Sequence, residues 1–270
     1  MGFKPQPGEY YRMPVFFGPT PGPRSWPADV EIDFEKCPKS LLAGARFLGN
    51  REQLQALLPD CFTVADEPIV TCNAHYLTEL GWLAGRGYGL FDVKFDVIYR
   101  GEEEVRGTLV LVRFESLSDP ILSGREELGH NKLWCEITEL RSFNGTRSMD
   151  LSWLGRQFCS LKVDNLVEAE PPARHPDHQG MMSYKYIPAT GDWGETDVAY
   201  ATLSPHQPSR LTSYYTCDAS AEWMKATWAE LPTLHHVVNG FAGLEVLEWR
   251  EGFLMTLEGA DSGSTTRRLK

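Results

Sequence analysis

The chain has 270 residues, 42% hydrophobic and 23% charged, and a formal net charge of −11. Its length suits one large domain or two small ones with a real core, and its composition excludes disorder and collagen-like repetition. The acidic balance excludes a nucleic-acid grip, which needs clustered Lys and Arg; the one short basic cluster is Arg267-Arg268 with Lys270.

Residues 1–30 are rich in proline and read as an extended arm. They contain no apolar run of the kind a secretory signal needs, and no stretch of the chain approaches the ~20 apolar residues that span a bilayer. The six cysteines (Cys37, Cys61, Cys72, Cys135, Cys159 and Cys217) are spread out and form no C-x-x-C pair. Reduced thiols and a cytoplasmic location follow as expectations.

Asn50 can cap a short helix over 51–58, with Leu54, Leu57 and Leu58 on one face and Pro59 ending it. Residues 69–76 are strand-like. Phe91-Asp92-Val93-Lys94-Phe95-Asp96-Val97 alternates strictly between apolar and charged, the period of a half-buried strand. After a turn at 101–104, residues 108–114 form a second strand, and the two make a hairpin. Ser118-Asp119-Pro120 opens a helix that runs to Leu128 and ends at Gly129, a natural left-handed cap. Residues 132–140 read as a strand, as do 148–154, 158–166, 184–187 and 198–203. Asp218 is placed to cap a helix over 219–231, a second helix follows over 232–244, and 244–249 with 252–257 reads as a closing hairpin. Strands outnumber helices, so the fold class is α+β and β-rich, a barrel or sandwich with helices packed outside. Loops near 168–181 and 189–196 are long enough to cover a pocket.

Most chemistry-bearing letters have a plain reading. Lys132, Trp134 and Glu136 share a strand face, so Lys132 could simply pair with Glu136. Asp92, Lys94 and Asp96 fit a solvated strand face. Arg125 with Glu126 suits a buried ion pair, and His235-His236 suits helix packing. Arg174-His175 with Asp177-His178 lacks a third ligand at metal spacing, so no metal is expected. No Gly-rich phosphate loop or Gly-x-Ser-x-Gly elbow is present.

One block goes further. Gly124-Arg125-Glu126, then Gly129, then Lys132, placed after an acidic helix start, resembles the pattern of acetoacetate decarboxylases. Lys185-Tyr186-Ile187-Pro188, Gly191-Asp192-Trp193-Gly194-Glu195 and Leu231-Pro232-Thr233-Leu234 extend the similarity over about residues 40–255. The resemblance implies an acetoacetate decarboxylase-like fold of antiparallel strands, organised as an arm (1–30), one domain (31–260) and a flexible tail (261–270). It also implies a homo-oligomer, a small carbonyl substrate, no cofactor, and Lys132 as an amine that forms an imine with a ketone. The catalytic carboxylate of the family falls on Asp92.

The departures matter as much. Leu133 stands where those enzymes carry a second lysine, and Asn131 where they carry proline. The arginine that serves the substrate carboxylate falls on Leu48, with Arg46 two residues away. Phe114, Leu133 and Trp134 are then left to desolvate the amine. These changes argue against acetoacetate itself and for a larger oxo compound, handled by decarboxylation or by an aldol, dehydration or cyclisation step. Two other readings stay open: Lys132⁺ as an acid or electrophile without an imine, and a binding protein that has lost turnover. The imine reading requires Lys132 to face a closed, largely apolar cavity without a tight ion pair to Asp92, because an adjacent carboxylate raises a lysine pKa.

Overall fold

Alternation of apolar and polar residues dictates most of this structure, a computed structural model that describes residues 3–206, 208–260 and 265–270. The chain runs through β1 (Lys39–Gly49), α1 (Arg51–Gln55), β2 (Phe62–Val64), β3 (Ile69–Thr78), β4 (Tyr88–Arg100) and β5 (Glu104–Glu115). The helix α2 (Ser118–Ser123) continues into a wider π-helical turn, Gly124–Leu128. Short strands β6 (Lys132–Trp134), β7 (Glu136–Ile137) and β8 (Arg141–Phe143) precede β9 (Thr146–Trp153), β10 (Arg156–Glu168), β11 (His178–Pro188), β12 (Thr196–Pro205) and β13 (Arg210–Trp223). The helix α3 (His235–Ala242), β14 (Val246–Glu258) and β15 (Arg267–Arg268) complete it.

The strands join one mostly antiparallel sheet in the order β15-β12-β11-β5-β4-β3-β1-β14-β13-β10-β9-β7. The sheet curls so that strands far apart in this order face one another. Phe114 of β5 lies 5.4 Å, ring to ring, from Phe158 of β10, and Phe91 of β4 lies 6.0 Å from Trp223 of β13. The helix α3 adds Phe241, 4.7 Å from Trp223. The ladder does not close by itself. One short segment spans the gap: β6 pairs in parallel with β5, and β7, beyond Cys135, pairs with β9.

The hairpin of β4 and β5 follows the alternation directly: Phe91, Val93 and Phe95 are buried in the core, and Asp92 and Lys94 take the other face. The cap at Asn50 also forms, its side chain accepting from the Glu52 and Gln53 N–H groups. The C-terminal half differs from expectation. Residues 219–223, expected to begin a helix, end strand β13, which pairs with β10 and β14. Long-range pairing with β10 outweighs the modest helix preference of Ala-Ser-Ala-Glu. The expected closing hairpin is instead the single strand β14, with Gly252 mid-strand opposite Cys217. The expected strand 132–140 breaks at Cys135, where the chain changes partner.

The ends of the chain are tied to the sheet. Residues 261–264 of the expected flexible tail lie outside the described residues. Beyond them, Arg267 donates twice to Glu103 (2.6 and 2.7 Å), β15 pairs with β12, and Leu269 is buried. In the arm, Arg12 and Arg24 both pair with Glu127 on the π-helical turn.

Candidate active site

Lys132 owes its position to three local features. The crossover through α2 returns the chain to β5 in parallel, with Lys132 beside Arg113 and Trp134 beside Glu115. The π-helical turn brings Gly124 against the lysine stem: a Cβ there would lie 2.6 Å from Nζ, so glycine makes room for the amine. Arg125 Nη1 donates to the Lys132 carbonyl at 2.9 Å, a brace for the backbone rather than the expected ion pair with Glu126. Glu126 instead offers its carbonyl to Lys185 Nζ (2.5 Å).

The amine is enclosed, with only 6% of Lys132 exposed. It donates to the Pro120 carbonyl at 2.8 Å and lies 2.8 Å from Glu115 Oε1. Glu115 is wholly buried, and among the described residues neither carboxylate oxygen has a well-directed hydrogen-bond donor. The pair is therefore held by proximity of charge more than by hydrogen-bond geometry. Burial, the largest influence, lowers the Lys132 amine to about 8; Glu115 opposes this and Arg113 adds to it. Burial likewise raises the Glu115 carboxyl, against the pull of Lys132 and Arg113. The environment thus pushes both partners toward their neutral forms.

A cavity of about 230 Å³ opens beside the amine. Its wall includes Lys132, Arg113, Arg24 and His130, with an apolar side formed by Ile32, Phe34, Leu80 and Trp82. No carboxylate lines it among the described residues. His130 holds its Nε2 3.3 Å from Ser204 Oγ, and burial keeps the ring well below the usual imidazole pKa.

Asp92, expected beside Lys132, accepts two bonds from Arg113 (2.6 and 3.0 Å), with Lys94 Nζ at 3.6 Å. Burial alone would raise its carboxyl, but the Arg113 guanidinium and Lys94 ammonium outweigh burial and hold it well below the usual range. Asp92 thus anchors Arg113 on the cavity wall, and Glu115 takes the place beside the amine. The expected substrate contacts separate in the same way. Phe114 packs in the core against Phe158 and Trp223. Leu133 faces away from Lys132, into a different cavity of about 310 Å³ with Leu111 and Phe241. Adjacent strand residues point to opposite faces, so neither can dry the lysine's side. Trp134 is 38% exposed and, like Leu48, lies off the Lys132 cavity wall. Arg46 turns to β14, donating to the Glu251 carbonyl at 2.7 Å.

Sequence reasoning missed Glu115, Arg113, His130 and Arg24. Arg113 and Glu115 flank Phe114 with strand period, which marks them as sharing a face opposite the core. That this face meets Lys132 depends on a parallel pairing no local pattern reveals. Among the described residues no cluster of His, Cys, Asp or Glu is arranged to hold a metal, and no helix is long and apolar enough to cross a membrane.

A sequence model of the family described as acetoacetate decarboxylase (ADC) matches residues 12–253. No curated protein sequence matches the chain. Among solved structures, the enduracididine biosynthesis enzyme MppR, complexed with the condensation product of pyruvate and imidazole 4-carboxaldehyde, is 14% identical, with a TM-score of 0.64 over 86% of this chain and 89% of that one. Acetoacetate decarboxylase from Legionella pneumophila is 17% identical, with a TM-score of 0.61 over 91% and 93% of the two chains. An acetoacetate decarboxylase-like enzyme from Sphingomonas wittichii RW1 is 16% identical, with a TM-score of 0.61 over 88% and 94%. At these identities the likeness establishes the fold.

Proposed function

Because the chain belongs to the acetoacetate decarboxylase family, we propose that it is a lyase that forms an imine between Lys132 and the carbonyl of a β-keto acid or larger oxo compound. The observation that carries this reading is a buried amine, lowered to about 8, on the wall of a cavity. At pH 7 an amine of that pKa is neutral in roughly one molecule in ten, against well under one in a thousand for an ordinary lysine.

Glu115 is suited to the protons. It takes one from the ammonium, leaving two neutral groups in a dry site. The neutral amine adds to the ketone carbon, and the proton goes to the carbinolamine oxygen, which departs as water and leaves an iminium. In decarboxylation the bond to the carboxylate carbon then breaks, and its electron pair is held as an enamine. Protonation at carbon and hydrolysis return the amine. An aldol or dehydration step uses the same enamine with a different bond made or broken. The lysine is itself the electron sink, so this route calls for no cofactor.

The test is reduction with borohydride in the presence of an oxo acid. The expected result is a stable mass increase that peptide mapping assigns to Lys132 and that Lys132→Ala lacks. A second reading draws on the 2.8 Å contact between Lys132 and Glu115: a permanently charged Lys132 polarises the carbonyl without bonding to it. Turnover without borohydride trapping would select that alternative.

A further inference from the structure

We infer that the cavity of about 310 Å³ behind Lys132 is a second ligand site, an effector site for an apolar carboxylate that acts on the lysine through Arg125. Residues 129–133 run between two cavities. Lys132 opens into one, Leu133 into the other, and His130 lines both. Arg125 lines the second cavity and not the first, yet its Nη1 donates to the Lys132 carbonyl at 2.9 Å. Asn131 ties the same segment to β5, its Nδ2 donating to the Val110 carbonyl at 3.0 Å. A group that engages Arg125 from the second cavity therefore bears on the backbone of Lys132 without entering the lysine's own cavity. The site lies outside the imine chemistry, and only its effect on Lys132 rests on the lysine-imine reading.

The lining sets the class of ligand. Leu133, Ile187, Val237 and Phe241 form an apolar bed drawn from β6, β11 and α3. Arg125 and Lys185 supply charge, and no carboxylate lines the cavity among the described residues. Arg125 directs one donor to the Lys132 carbonyl and Lys185 one to the Glu126 carbonyl; among the described residues neither pairs with a carboxylate. A guanidinium has five N–H donors and an ammonium three, so both cations keep donors for a ligand. In a chain of net charge −11, two cations without carboxylate partners beside an apolar cavity favour an anion. The volume is at the lower end of small-ligand pockets, which suits one ring or a short chain bearing a single carboxylate. The carboxylate lies between Arg125 and Lys185, and the apolar body rests on Leu133 and Phe241. Bound in this way the ligand ties down the exposed Arg125 side chain and steadies its brace on Lys132.

The probe is 4-phenylbutyrate, which has no ketone and cannot form an imine, with 4-phenyl-1-butanol as its uncharged counterpart. Hydrogen exchange of the wild type saturated with 4-phenylbutyrate should slow in 184–187 and 235–242. It should stay unchanged in 80–82, which borders the Lys132 cavity. Calorimetry should show a preference for the carboxylate over the alcohol of about fivefold, the scale of an ion pair with an exposed arginine. Arg125→Gln should remove that preference and Arg125→Lys should retain part of it, with the alcohol binding all three proteins alike. Val237→Trp, which fills the cavity from α3, should lose both ligands. The pyruvate concentration that half-saturates borohydride trapping should fall about fivefold when 4-phenylbutyrate is present, the low end of coupling between sites. Val237→Trp should show no such response. No binding, slowed exchange at 80–82 instead, a preference that survives Arg125→Gln, or an unchanged or raised half-saturating pyruvate concentration would each overturn the inference. Affinity that falls as protein concentration rises would assign the cavity to a contact between copies and overturn it as well. Absence of trapping both with and without 4-phenylbutyrate sinks the imine alone, and turnover of the oxo acid then carries the last comparison.

Discussion

Replacing Glu115 by Gln separates the two tasks assigned to the Lys132 neighbourhood. The substitution keeps the shape of the side chain and removes the charge 2.8 Å from the amine. A close opposite charge shifts a pKa by about 1–3 units, so the amine, now about 8, should fall to roughly 5–7. The neutral share at pH 7 then rises from roughly a tenth to half or more, and imine formation should quicken by about five- to tenfold at that pH. Turnover should move the other way. Among the described residues no other carboxylate pairs with the amine to exchange its proton, so the proton steps should slow on the order of a hundredfold or more. The assay is the rate of borohydride trapping as a function of pH, together with steady-state turnover of the same oxo acid. In wild type, trapping should rise with pH through about 8, because the depressed amine becomes neutral there. A Glu115→Gln midpoint still near 8, or turnover that rises with trapping, would refute the assignment.

Lys132→Ala should abolish trapping and also cost stability, roughly 3–5 kcal/mol near pH 8, since it strands a buried carboxylate. The loss should shrink toward pH 5: a carboxyl raised by burial binds more protons folded than unfolded, so stability is retained at low pH and falls as pH rises through its folded value. Urea unfolding at the two pH values tests this, and Lys132→Met with Glu115→Gln should restore most of the loss. Phe114→Ala should cost about 3–5 kcal/mol by opening the aromatic cluster with Phe158 and Trp223, with ligand affinity of the folded protein unchanged by calorimetry. Leu133→Lys should leave the trapping midpoint near 8 and lower the melting temperature, because position 133 faces away from the amine.

Much of the N-terminal half was legible because local chemistry there agrees with the final pairing. The 91–97 alternation became β4, Asn50 capped its helix, and Gly129 adopts the left-handed conformation expected of a helix end (φ 77°). Around 219–223 the local preference and the final state disagree, and a strand paired with β10 replaced the helix. The identification of Asp92 shows the same limit at the site. Position along a strand places a carboxylate on a face, but its partner is set by the neighbouring strand, and Arg113 sits directly opposite Asp92.

The sequence by itself determined the family, the β-rich class and the singling out of Lys132, because each rests on residue types at short, fixed spacings. The glycine at 124, the turn at 129 and the lysine at 132 lie within one crossover, and their geometric roles are local. Only the tertiary structure decided which carboxylate meets the amine, which arginines line the cavity, and that the arm walls it. Those facts depend on a parallel pairing of β5 with β6 and on an arm docked by Glu127, contacts between residues up to 115 positions apart. Burial depends on such contacts as well. The lowered amine is a property of the enclosure, and no spacing of letters in the chain encodes how dry that enclosure becomes.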